Sequence, residues 1–181
     1  MSAIPKAITV LAGSALLFGL VPGAVGEQIV IPFSVQAQAG STATTYTISG
    51  ALISIPPIDG AAGRLAAEVT LTDNNGDGAT LTGQRPSGNS IEAYYDVSNL
   101  FGGIIAEVIA PPGETIVVSE AFPPSGFELF PYPPTSVSVQ MKFMLSAYDS
   151  VDINGSLTIM PEPTGGLLLA LLGLVSTRFR R

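Results

Sequence analysis

The residues best placed to do chemistry lie in one short run, Asp73-Asn74-Asn75-Gly76-Asp77-Gly78. It matches the first half of a calcium loop, in which hard oxygen ligands at alternate positions converge on one cation and a sixth-position glycine permits the sharp turn. Asp73, Asn75 and Asp77 would supply side-chain oxygens and Ala79 the seventh-position carbonyl. The twelfth position is Gln84 where a bidentate acid is needed, and the flanks read as strands where helices are needed. The competing reading, a polar hairpin turn, accounts for the same Asn, Gly and Asp residues and is preferred. No cofactor is expected, and calcium is the one ion this loop would suit. Asp149, Asp152 and Asn154 form a weaker acidic group.

A second candidate is the proline-rich stretch from Phe122 to Tyr132. Phe127, Phe130 and Tyr132 could stack on sugar rings of an extracellular polysaccharide; alternatively they fill the space beneath a long connection. Paired acids could hydrolyse glycosides, and Glu92, Asp96, Glu107 and Glu120 sit in or near predicted strands. Alternating outward acids usually form a solvated face, so an enzyme is not expected. The chain has no Cys and no His. That removes thiolate nucleophiles, imidazole-based triads and the usual zinc sites.

Charge is segregated along the 181 residues. Residues 27–160 carry 13 acidic side chains against Arg64, Arg85 and Lys142, a net −10. Such a domain is repelled by phosphate backbones, so nucleic acid is excluded as a partner. Lys6, Arg178, Arg180 and Arg181 all fall in the terminal segments.

Those segments have their own logic. Lys6 precedes an apolar run from Ala7 to Val21, broken at Pro22-Gly23 and followed by Ala24-Val25-Gly26. A basic start, an apolar middle and small residues at the end make a signal peptide, with cleavage expected between Gly26 and Glu27 by signal peptidase. A permanent anchor is the alternative, but the run is roughly 15 residues against the roughly 20 a spanning helix needs.

The last 21 residues begin Pro161-Glu162-Pro163, continue through the leucine-rich stretch Thr164 to Thr177, and end Arg178-Phe179-Arg180-Arg181. These three parts, in this order, resemble the PEP-CTERM sorting signal of Gram-negative bacteria. The resemblance implies recognition by an exosortase-type membrane protease or transpeptidase, transient residence in the inner membrane, and release or transfer to the cell surface or extracellular matrix. Physically, the prolines delay helix formation, the leucines partition into lipid, and the arginines remain on the cytoplasmic side. Fourteen helical residues reach about 21 Å against a hydrocarbon core of about 30 Å, a marginal anchor suited to later removal. A final core helix or a permanent tail anchor are the alternatives; a core helix should show polar positions at a 3.6 period, which this run lacks.

The elements that must position the candidate residues are strands. Ile29, Ile31, Phe33, Val35 and Ala37 would share one face; so would Leu65, Ala67, Val69 and Leu71, and Val137, Val139, Met141, Phe143 and Leu145. Alternation of this kind marks half-buried antiparallel strands. Further strands are expected over 43–55, 79–84, 90–97, 104–110, 115–122 and 156–160, with turns at Gly102-Gly103 and Asn154-Gly155 among others. About nine short strands predict an all-β, antiparallel, jelly-roll-like sandwich. The organisation expected is a signal peptide and signal helix over 1–26, a β-sandwich over 27–160, and a sorting tail with a hydrophobic transmembrane helix over 161–181. The function expected is that of an exported structural or interaction protein of the cell surface. The alternative is a carbohydrate-binding module, assisted by calcium.

Overall fold

In the computed structural model, residues 9–11 and 28–161 are described, and among them there is no helix. In chain order the strands are β1 (Thr9–Leu11), β2 (Ile29–Gln38), β3 (Thr44–Ser49), β4 (Ile53–Ser54), β5 (Ala61–Thr72), β6 (Ala79–Gly83) and β7 (Ile91–Tyr95). They continue as β8 (Asn99–Ile104), β9 (Glu107–Ala110), β10 (Thr115–Phe122), β11 (Glu128–Leu129), β12 (Ser136–Leu145) and β13 (Ser150–Pro161). All pairings are antiparallel. The chain is all-β, as its alternation predicts.

Several of these strands are pieces of longer ones. β3 and β4 run along one side of β12, β7 and β6 along the other. β8 and β9 continue the same line outward, and β10 and β11 share one side of β5. Counting each line once and leaving β1 aside, eight lines result. One sheet orders them first, eighth, third, sixth (β2, β13, β5, β10/β11); the other second, seventh, fourth, fifth (β3/β4, β12, β6/β7, β8/β9). That interleaving is the jelly-roll order.

Period-two sequence builds the core directly. Leu65, Val69 and Leu71 of β5 are fully buried while Glu68 between them is exposed. Val137, Phe143 and Leu145 of β12 and Val151, Ile153 and Ile159 of β13 close on them from the two sheets. Burying one such aliphatic side chain contributes about 2 kcal/mol.

Two of the expected turns are strand interior. Asn154-Gly155 lies within β13, opposite Ser34 and Phe33 of β2. Gly155 is there because a Cβ would lie 2.4 Å from the Phe33 ring and from the Ala66 carbonyl oxygen. The turn falls instead just before β13, at residues 146–149, with Tyr148 at φ 66°. Gly102-Gly103 is likewise within β8, where the Phe122 ring fills the space a Cβ at Gly102 would need. The expected strand 104–110 is broken at Ile105, a buried residue at φ 62°. Its amide donates to Glu120 Oε2 on the opposite sheet at 2.7 Å. Hydrogen bonding of this kind holds a β-branched residue in the left-handed region, which costs on the order of 1 kcal/mol or more.

Of the expected signal segment, Thr9–Leu11 is extended and pairs with Ser34–Gln36 of β2. The rest of residues 1–26 and the tail from Glu162, with their two expected helices, lie outside the described residues.

Candidate functional site

The Asp73 loop is positioned by strand register. β5 and β13 pair so that Thr72 faces Ser150. The next residue beyond β5 and the last before β13 are therefore neighbours, and these are Asp73 and Asp149. Both are buried, Asp149 completely. Asp73, Asp77 and Asp149 bring one carboxylate oxygen each within 4.8 Å of one another. Asp149 thus joins the loop, while Asp152 and Asn154, grouped with it in the sequence, lie along β13, where Asn154 accepts a hydrogen bond from Ser34.

The carboxylate of Asp73 is fully engaged. Oδ1 accepts the amides of Asn75 and Gly76 at 3.0 and 2.9 Å; Oδ2 accepts those of Gly78 and Gly113 at 2.9 and 2.6 Å. Four donors match the roughly four lone-pair directions a carboxylate offers. The Gly113 amide, opposed by the cost of burial and joined by the Gly78, Asn75 and Gly76 amides, holds Asp73 well below the usual carboxylate range. Gly76 and Gly78, at φ 84° and 98°, supply the left-handed backbone that turns these amides inward. Asp149 accepts the Asn74 amide at 3.2 Å and the Ser146 hydroxyl. The Asn75 side-chain oxygen accepts the Asp77 amide, and its NH₂ points to the Ala147 carbonyl. Asn75 therefore serves the turn itself, and Ala79 begins β6 opposite Ala110. Asp73 thus ties segments 73–78 and 111–113 together, and Asp149, through Asn74, ties segment 146–149 to the same loop.

The aromatic stretch divides in two. Phe130 is buried, stacked on Phe101 at 4.6 Å and edge-on to Tyr95 at 5.3 Å. Gly63 makes this possible, since a Cβ there would come within 2.8 Å of both phenylalanine rings. Phe127 and Tyr132 are 40% and 47% exposed, Tyr132 leaning edge-on against Tyr95. Of the three rings proposed to bind sugar, two are presented to solvent and one anchors the loop.

The four strand acids do not converge on a cleft. Glu92 is buried on β7 and accepts Arg85 Nε at 2.7 Å, the Ser87 hydroxyl and amide, and the Tyr94 hydroxyl. Arg85 also donates to Tyr94 Oη at 2.7 Å and lies over its ring. Burial works to raise the Glu92 pKa, but the hydrogen bonds from Ser87, Tyr94 and Arg85 outweigh it and hold it below the usual range. Asp96, at φ 44° in the β7–β8 turn, accepts the Thr135 amide and hydroxyl, both at 2.8 Å, and is held low chiefly by that amide. Glu120 serves Ile105, and Glu107 is exposed. The Arg85–Ser87–Glu92–Tyr94 network was missed in the sequence, although Glu92 and Tyr94 at alternate positions had to share a face.

Pro161 closes β13 opposite Ala61. Glu162, Pro163, Arg178, Arg180 and Arg181, and the cleavage residues Ala24, Gly26 and Glu27, lie outside the described residues.

No family model and no curated protein matches the chain. Among solved structures, it is similar to that of the infectious bursal disease virus Gx strain, at 14% identity and a TM-score of 0.40, covering 82% of this chain and 37% of that one. It is also similar to the Bacillus endospore appendages, described as disulfide-linked pili, at 10% identity and a TM-score of 0.27, covering 80% and 96%. The chain thus spans little more than a third of the viral protein. At these scores neither likeness says anything of function.

Proposed function

We propose that this chain is an exported structural or interaction protein of the cell surface or extracellular matrix, sorted by its C-terminal segment. Within the described residues, one observation carries the reading: every buried carboxylate is spent on the fold. Asp73 holds four amides, Asp149 an amide and a hydroxyl, and Glu92 a guanidinium and two hydroxyls. A catalytic acid needs a proton or a lone pair facing substrate; these have theirs turned inward. In the sequence, the support is the Pro161-Glu162-Pro163 motif, the leucine-rich stretch and the terminal arginines. In this reading signal peptidase removes the leader and an exosortase-type enzyme acts at the tail in the inner membrane.

Mass spectrometry of the protein recovered from its own cell tests both ends at once. Termini near Glu27 and Pro161 are expected; a C-terminus at Arg181 would mean a permanent anchor. Deleting residues 161–181 should move the domain out of the surface fraction. An unchanged distribution would sink the sorting claim.

A second reading, binding of extracellular polysaccharide, is favoured by the exposure of Phe127 and Tyr132 beside Leu129, itself 50% exposed. Exposed rings on an anchored loop suit stacking against sugar faces. Affinity electrophoresis in polysaccharide gels should then show retardation that Tyr132→Ala reduces; equal mobility of the two proteins would dismiss it.

A further inference from the structure

We infer that the outer edge of β2 becomes a self-association surface once the leader is removed, pairing antiparallel with β2 of a second copy of this chain. The inference rests on the proposed cleavage near Glu27.

The two open sides of the sandwich differ. On one, β10 lies against β8 and β9 of the other sheet, and Glu120 bridges them through the Ile105 amide at 2.7 Å. The strands there carry acids at Glu107 and Glu120. On the other side lie β2 and β3, linked by the Tyr46 hydroxyl donating to the Gln38 carbonyl at 2.6 Å. Among the described residues β2 is the longest single strand at a sheet edge, with ten residues, and none of them is charged. Natural edge strands are normally blunted by charges, prolines or brevity. Here the only such device within the strand is Pro32, its fourth residue.

What does occupy this edge is the chain's own segment Thr9–Leu11, antiparallel against Ser34–Gln36. That pairing shows that the edge accepts a strand. Among the described residues it spans three of the ten. Thr9–Leu11 belongs to the expected leader, so cleavage takes the cover away. The mature chain would start at Glu27, immediately before β2, leaving no preceding segment to fold back.

The occupant that fits is a second copy. A domain of net −10 repels its like over most of its surface. β2 offers a neutral approach, with no charged side chain along its ten residues. A two-fold pair of β2 strands is self-complementary and closed, and joins the two β13–β2 sheets into one. Centring it on Val35, within the stretch Thr9–Leu11 occupies, sets Ser34 opposite Gln36 of the partner copy and moves Pro32, with no N–H to donate, away from the middle.

The chain has no cysteine, so introduced thiols report alone. Two full-length chains, one Ser34→Cys and one Gln36→Cys, are expressed together in the native cell, and the surface fraction is oxidised gently. A parallel culture carries Thr47→Cys, on the exposed face of the uncharged β3 edge. Disulfide dimers in the mixed β2 pair are expected about ten-fold above the Thr47 chain, because pairing raises the local thiol concentration. Adding Gln38→Glu to both chains should abolish them, because it puts further negative charge at each end of the strand pair, on an edge whose neutrality permits approach. Mature N-termini near Glu27 with no more dimer than at Thr47 would overturn the edge inference and leave export standing. A leader still attached in the surface fraction would overturn both.

Discussion

Two buried anions, Asp73 and Glu92, are satisfied in opposite ways. Among the described residues Asp73 has no cation paired with it: four backbone amides from two loops hold it. Glu92 is held entirely from 85–94, by Arg85, Ser87 and Tyr94. The first anion therefore fixes the path of the main chain at one end of the sandwich, and losing it strands amide donors that no rotamer change can redirect. The second fixes a local cover over β7, and its partners can turn toward water. Amide-held charge is structural for the whole domain; side-chain-held charge is structural for one loop.

The largest effect expected is from Asp73→Asn. The amide keeps one acceptor but sets an NH₂ group against two of the four N–H donors. Charged hydrogen bonds and stranded donors of this kind should lower Tm on the order of 15 °C. The pH dependence has a definite sign. The folded-state pKa of Asp73 is depressed, so its contribution is complete above the unfolded value of about 4 and is lost as pH falls below it. Thermal melts of the wild type from pH 5 down to pH 2 should fall more steeply than those of Asp73→Asn. Parallel curves would mean that the charge of Asp73 is not what holds the loop.

Next comes Arg85→Ala, which leaves Glu92 buried without its cation. Breaking a buried pair costs about 3 kcal/mol when the remaining charge cannot escape; here Ser87 and Tyr94 still donate, so a loss of about 2 kcal/mol is expected in urea denaturation. Arg85→Ala with Glu92→Gln should recover part of it. A double variant no better than the single one would show that packing of the Arg85 stem over Tyr94, rather than the stranded charge, carries the effect.

Glu120→Ala should be smaller, about 1 kcal/mol, since one buried amide at Ile105 loses its acceptor. Hydrogen exchange at Ile105 is the sensitive readout: it should quicken well before global stability changes. Exchange that follows global unfolding in both proteins would mean that the positive φ at Ile105 is held by packing alone.

The strands of the fold were legible because alternation is local. Leu65 to Leu71 and Val137 to Leu145 announce their buried faces within seven to nine residues. What could not be read was anything set by a residue from another strand. Asn154-Gly155 has the composition of a hairpin turn, yet Gly155 is chosen for the Phe33 ring, whose sequence distance hides it. Gly102 stands in the same relation to Phe122. Asp149 was grouped with Asp152 and Asn154 by proximity in sequence, whereas register puts it beside Asp73. The Asp73 loop was recognisable as a place where oxygen atoms gather; that its oxygens would face amides depended on Gly113, forty residues on.

Calcium offers the smallest expected effect. To take the loop, an ion needs several oxygen ligands with lone pairs directed at it. The four lone-pair directions of Asp73 are taken by N–H groups, and Asp149 accepts an amide and a hydroxyl. Binding would have to release amides already well placed, so the ion's gain is set against broken hydrogen bonds. A site with a Kd of about 1 mM would add about 1.4 kcal/mol at 10 mM calcium, several degrees in Tm. We expect a change below about 1 °C at constant ionic strength, and none that depends on Asp77. A rise of several degrees that disappears in Asp77→Ala would make the Asp73–Asp77–Asp149 cluster a calcium site, and would mean that amide-held and cation-held states of the loop exchange. The contrast between Asp73 and Glu92 would then dissolve, since each anion would have its cation.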